Sequence, residues 1–246
     1  MKIAPLLLVA LLLLLVWQAI VSLTGAPPYI LPDPLRVFRA LVDNADLIGG
    51  HAVITALEVL IGLVLGTALG AMTALWLKMS PTARSLLLPA MVLSQSVPVF
   101  ALAPLLTLWF GYGLWSKIAM TTLIIYFPVA STFYDGLRNT PAGLDDLATV
   151  MGATPLRRLF LIQVPAAIPS LASGLRLAAI YAPIGAVIGE WVGASQGLGY
   201  LMLLANGRVK TDLMFAALLV LAVMAMALHF AISLLARRLQ QWAGVG

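Results

Sequence analysis

Long, nearly uninterrupted apolar runs constrain this chain more than any other feature, and the first of them, residues 3–23, has Gln18 as its one strongly polar interruption. A backbone inside hydrocarbon must satisfy its own hydrogen bonds, and a helix needs about 20 residues to cross. Six segments meet that length: residues 5–24, 52–77, 84–110, 115–134, 169–192 and 213–236. The composition demands the same solvent. The chain is 62% hydrophobic and 9% charged, where a soluble domain carries about 25% charged residues. Its mean hydropathy of +1.06 over 246 residues is more apolar surface than one water-soluble core can hide. The predicted fold class is therefore all-α: a polytopic membrane protein of about six transmembrane helices.

The first run is longer than the roughly 7–15 apolar residues of a signal peptide and lacks a clean small-residue cleavage site, so it is expected to be an uncleaved span. The third segment contains Pro98 and Pro104 and is expected to kink or break there. Pro27, Pro28, Pro32 and Pro34 stiffen the connector after the first span. Leu35, Phe38, Val42 and Ala45, interleaved with Arg36, Arg39 and Asp43, suit a short amphipathic helix at a membrane interface. The chain thus reads as one transmembrane domain over 1–246, with 1–50 the first span and connector and 51–246 the core bundle. Gly62, Gly66 and Gly70 on the second span, and Gly185, Gly189 and Gly193 on the fifth, repeat every four residues. Such faces let helices pack closely in lipid.

Several function classes fall away at this stage. There are no cysteines, hence no disulfide framework, thiolate metal site or cysteine nucleophile. His51 and His229 each lack a second ligand at metal spacing, so no metal site is expected. The net charge of +5 is dispersed singly or in pairs, without a basic patch interleaved with aromatics, and does not suggest nucleic acid. No paired carboxylates, phosphate-binding loop or serine nucleophile context points to an enzyme, and no catalytic residue is assigned. An ion-coupled secondary transporter usually shows inverted repeats, and no convincing repeat is present. Placing the N-terminus inside puts Lys2, Lys78, Arg84, Arg138, Arg157, Arg158, Arg176, Arg237 and Arg238 in the cytoplasm. Arg36, Arg39, Lys117, Arg208 and Lys210 then remain outside. That bias predicts both termini in the cytoplasm.

The longest polar stretch lies between the fourth and fifth segments. Thr140 is a plausible helix cap with Pro141 at the first helical position. Leu144, Leu147, Ala148 and Met151 form one apolar stripe, and Gly152 is placed to end the helix in a left-handed conformation. Thr154 and Pro155 repeat the start signal, and the second helix is expected to run from Leu156 until Pro165 stops it.

This loop resembles the cytoplasmic signature of permease subunits of type I ATP-binding-cassette importers. That signature runs glutamate-alanine-alanine, three residues, glycine, nine residues, isoleucine, one residue, leucine-proline. The chain has Asp146-Leu147-Ala148, then Gly152, then Ile162-Gln163-Val164-Pro165 at the same spacing. Ile30-Leu31-Pro32-Asp33-Pro34, Leu108-Trp109-Phe110-Gly111 and Gly197-Leu198-Gly199-Tyr200-Leu201 resemble the nitrate, sulfonate and taurine branch. Three strings are most similar to permeases for the hydroxymethylpyrimidine precursor of thiamine: 94–101, beginning Ser94-Gln95, 182–191, ending Glu190-Trp191, and 211–217.

The resemblance implies a half-pore in a bacterial inner membrane. Its partners would be a second copy of the chain, a periplasmic or lipid-anchored substrate-binding protein, and a separate ATPase subunit that carries the ATP and Mg; no cofactor is implied on this chain. It assigns Asp146, Leu147, Ala148, Gly152, Arg157, Arg158, Ile162 and Pro165 to the ATPase-docking loop. Ionisable groups inside spans are functional candidates by default, so Glu58 and Glu190 join Ser94, Gln95, Pro98 and Pro183 as candidates for the substrate path. Sulfonate-type relatives commonly carry a basic residue near the position of Glu58. The cargo implied is an aminopyrimidine, with sulfonate, taurine or nitrate anions as the alternative.

Overall fold

The computed structural model describes residues 3–244 and is helical throughout apart from short connectors. The helices are α1 (Ile3–Thr24), α2 (Pro34–Asp43), α3 (Ala45–Met79), α4 (Pro81–Ser94), α5 (Ala103–Phe110), α6 (Leu114–Arg138), α7 (Ala142–Val150), α8 (Pro155–Arg158), α9 (Val164–Gly193), α10 (Leu198–Gly207) and α11 (Thr211–Trp242). Among the described residues, four rods are long and apolar enough to cross a membrane: α3, α6, α11, and α8 joined to α9 as one helix, Pro155–Gly193. The expected third span is a pair, α4 followed by Val99–Phe110, bent by 91°. The chain breaks at Gln95–Pro98 because the fixed φ of Pro98 and its missing N–H end the helix there. Pro104 opens α5 instead of kinking it. The first expected span is helical as Ile3–Thr24; Lys2 and the side chains of residues 3–7 and Ala10 lie outside the described residues.

The glycine repeats decide the core. Helices α3 and α9 both press their small-residue faces onto α6. A Cβ at Gly66 would lie 2.9 Å from the Ile125 side chain, and one at Gly70 would lie 2.9 Å from the Tyr126 carbonyl oxygen. On α9, a Cβ at Gly185 would lie 2.8 Å from the Thr121 Cα and one at Gly189 3.1 Å from the Lys117 Cα, both of α6, while one at Gly193 would lie 2.6 Å from the Thr107 side chain of α5. The order of these contacts makes α3 parallel and α9 antiparallel to α6. Val59, Leu63, Ile125, Val129, Ala178, Ala182 and Ala186 fill the seam. Close backbone approach, rather than large side chains, generates the van der Waals contact that holds helices together in lipid.

The periphery is tied on by single polar contacts. The Trp17 indole N–H of α1 donates to the Pro32 carbonyl (3.1 Å), and the Thr211 hydroxyl of α11 donates to the Tyr29 carbonyl (2.9 Å). Asp33 caps α2 by accepting from the Arg36 N–H (2.9 Å). Val37 and Ala40 of α2 are buried in a cluster with α10 and α11, whereas Leu35, Phe38 and Val42 are exposed, as an interfacial helix requires.

Candidate functional site

At one end of the bundle, α3, α6 and α9 enclose charges that the sequence distributed differently. Glu58 is 2% exposed, Glu190 1% and Lys117 2%. Lys117, which the count of basic residues placed on the outer side, occupies the first turn of α6 and is buried inside the protein. Its ammonium donates to the carbonyls of Tyr112 (2.6 Å), Gly113 (2.8 Å) and Gly193. Glu190 is enclosed by the protein on all sides. One carboxylate oxygen accepts from the Thr55 hydroxyl (2.6 Å) and the other from the Gly199 N–H. The Leu198 N–H donates to Thr55 Oγ1 (2.8 Å) and the Gly197 N–H to His51 Nδ1 (3.0 Å).

The unpaired first N–H groups of α10 are therefore capped by side chains of α3 and α9, and an unpaired last carbonyl of α9 is capped by α6. Anion and cation stand at the helix ends where the backbone dipoles favour them. Gly197, at φ 111°, and Gly199 leave room for this: a Cβ at Gly197 would overlap the Glu190 carboxylate, and one at Gly199 would lie 2.7 Å from its Oε2. Glu58 Oε2 is buried without a hydrogen-bond partner.

A second feature opens nearer the middle of the bundle. A cavity of about 440 Å³ is lined by Gln95 and Val99 of the bent span, Leu123, Ile124, Phe127, Pro128, Ser131 and Thr132 of α6, and Leu177 and Tyr181 of α9. Among the described residues, no charged side chain contributes to its wall. Gln95, a sequence candidate for the substrate path, is among the lining residues. Ser94 is exposed beside it and donates to the Met91 carbonyl (2.7 Å), and Pro98 forms the neighbouring break. Pro183 is buried in α9, and Glu58 and Glu190 do not line this cavity.

The third feature is the polar loop at the opposite end. Helix α7 starts at Ala142, with Pro141 itself at the cap position. Thr140 does not cap it; its hydroxyl donates to the Leu137 carbonyl (3.2 Å) and closes α6 instead. Gly152 has φ 72°. The Ala153 N–H reaches the Ala148 carbonyl (2.9 Å) and the Gly152 N–H the Thr149 carbonyl (3.0 Å), the two bonds that end a helix on a left-handed residue. Thr154 caps α8 with Pro155 in its first turn.

Pro165 does not stop the next helix. Residues Leu159–Gln163 form a π turn that leads into α9, with Pro165 in the first turn of α9, where an amide N–H has no obligatory partner. The loop is pinned internally by Gln163 Nε2 donating to Asp145 (2.9 Å) and by Arg158 donating to Thr149 Oγ1 (3.0 Å). Asp146 and Arg157 are exposed, Ile162 and Pro165 half-buried. Of the predicted stripe, Ala148 is buried, while Leu144, Leu147 and Met151 remain exposed; Val150 beside them is 87% exposed.

The profile of the family described as binding-protein-dependent transport system inner membrane component matches residues 66–244. This chain belongs to that family. It is the multi-pass, inner-membrane permease of a type I ABC importer. It is 52% identical over 234 residues to a probable ABC transporter permease protein of Haemophilus influenzae, covering 95% of each chain. It is 39% identical over 191 residues to the formylaminopyrimidine transport permease protein ThiX of Halalkalibacterium halodurans, covering 77% of this chain and 76% of that one. A crystal structure of an amino acid ABC transporter with histidines superposes with a TM-score of 0.68 at 16% identity, covering 82% of this chain and 98% of the other, a likeness of fold.

Sequence reasoning about this permease named both carboxylates as candidates and missed the groups around Glu190. Thr55, His51 and Lys117 carry no motif. The one available signal was Gly197-Leu198-Gly199, whose glycines mark a close approach to the backbone without naming the side chain that approaches.

Proposed function

We propose that this permease admits an uncharged aminopyrimidine, a precursor of the thiamine pyrimidine, through the cavity bordered by Gln95. The observation that carries this reading is the wall itself: amide, hydroxyl and phenol groups set among apolar side chains, with no cation to meet an anion. A sulfonate or nitrate entering it would lose hydration without a partner charge, which is strongly unfavourable. A flat heterocycle gains stacking on Phe127 or Tyr181, a hydrogen bond from the Gln95 amide, and an acceptor in the Thr132 hydroxyl, whose proton goes to the Pro128 carbonyl. The name of the ThiX relative supports the same class. Glu58 and Glu190 are left out of this path, because each is enclosed by the protein.

We further propose that the α7–α8 loop is cytoplasmic and receives an ATPase subunit, which carries the ATP and Mg. The exposed Leu144, Leu147, Val150 and Met151 beside Asp146, Arg157 and Arg158 make an apolar patch with a charged rim. Two copies of the chain would form the pore, fed by a periplasmic or lipid-anchored binding protein.

The test is uptake of labelled formylaminopyrimidine by proteoliposomes holding the permease with its ATPase and binding protein. Gln95→Leu removes the amide from an exposed wall position and should lower uptake about tenfold, the worth of one or two hydrogen bonds, while ATPase co-purification stays unchanged. Uptake of taurine in place of the pyrimidine would overturn the cargo and leave the permease assignment standing.

A further inference from the structure

The proposed cargo path does not use the polar cluster around Glu190, where three side chains bond one helix end. Three successive amide N–H groups, Gly197, Leu198 and Gly199, end on three side chains from two other helices: His51, Thr55 and Glu190. Thr55 links the set, accepting from Leu198 while donating to Glu190. On the other side of the same turn, Gly193 at the end of α9 is held by Lys117. Residues 194–196 are therefore bracketed by a cation and an anion, both buried. Separating α10 from α9 would leave a carboxylate and several amides unpaired in an apolar bundle, so the turn and the end of α9 must move together.

What moves α9 stands at its other end. Helices α8 and α9 are one rod of 39 residues, Pro155–Gly193, roughly 55–60 Å long at the rise of an α-helix. We infer that Thr55, Glu190 and His51 are positioning residues of the transport cycle, a cross-helix clasp that makes the 194–199 turn follow the displacement that the α7–α8 loop gives to α9. This rests on the reading that an ATPase docks on that loop.

Thr55→Val is isosteric and deletes the hydroxyl; Thr55→Ser keeps it. Each is placed in the reconstituted complex together with a spin label on Gln196→Cys, an exposed position in a chain without native cysteines. In Thr55→Val the ATPase should co-purify and hydrolyse ATP at an unchanged rate. Formylaminopyrimidine taken up per ATP should fall about tenfold, as befits the loss of a doubly bonded buried hydroxyl, and the label should become more mobile. Thr55→Ser should restore both readouts.

An unchanged uptake per ATP in Thr55→Val, or equal impairment in the valine and serine variants, would overturn the inference. If the valine variant fails to assemble, His51→Leu, at the half-buried edge of the clasp, should give the same uncoupling at about a threefold level, and normal coupling there would overturn it. Failure of the unaltered chain to retain an ATPase would remove the docking reading instead, while label mobility in the valine and serine variants still decides whether the clasp exists.

Discussion

At the loop end of the Pro155–Gly193 rod, turn-making bonds span a few residues: Ala153 to Ala148, Gly152 to Thr149, Arg157 to Thr154. At the α10 end, the local bonds of Lys117 and of Glu190 to Gly199 are joined by four that link residues 76 to 146 positions apart, from α3, α6 and α9. The first end leaves Leu147, Val150 and Met151 uncovered, whereas the second buries two carboxylates and an ammonium almost completely. A turn built from local bonds keeps its shape with one face open, so it suits a docking surface. A turn built from distant side chains exists only when the whole bundle has closed, and it registers any relative movement of the helices that supply them.

The largest effect that would sharpen this contrast is expected at Lys117. Replacement by methionine keeps much of the volume and leaves the Tyr112, Gly113 and Gly193 carbonyls without their shared donor. Loss of a buried charged donor shared by three carbonyls, the one on Gly193 buried, should destabilise the protein by about 2–3 kcal/mol, read as a marked fall in melting temperature in detergent. A melting temperature within experimental error of the unaltered protein would mean that this end is no more dependent on distant side chains than the other.

The next effect tests the seam between the ends. Gly70→Ala places a methyl 2.9 Å from the Tyr126 carbonyl oxygen and 3.0 Å from the Ala130 amide nitrogen. Backbone cannot move aside cheaply, so a loss of about 1–3 kcal/mol from overpacking is expected, outweighing the ~1 kcal/mol helix-propensity gain of alanine. Gly143→Ala in α7, where a Cβ meets nothing within 4 Å, should be neutral or slightly stabilising. Equal behaviour of the two alanines in thermal melts would break the comparison.

The smallest effect belongs to the loop. Gly152→Val forces a β-branched residue to adopt φ 72°, a strain of about 1–2 kcal/mol that falls on the turn and not on the bundle. The melting temperature should barely change while ATPase co-purification drops. A large thermal loss here would show that the loop is not energetically separate from the helices.

The sequence by itself determined whatever depends on neighbours along the chain. The apolar runs demanded lipid and helices; Thr154-Pro155 and Gly152 set the loop's punctuation; Pro98 set the break in the third span. Even the glycine repeats announced close packing, because spacing of four residues makes one face on any helix. The tertiary structure alone decided which helix those faces grip, and that α6 is gripped twice. It alone showed Lys117 as a buried cap on the end of α9 and Glu190 as an acceptor for the start of α10. It also carried a helix through Pro165, since a π turn re-routes the hydrogen bonds ahead of it. The physical reason is range. Propensity, capping and amphipathic period are set within about one or two helical turns, whereas a buried charge is placed by whichever distant backbone groups fold leaves unpaired beside it.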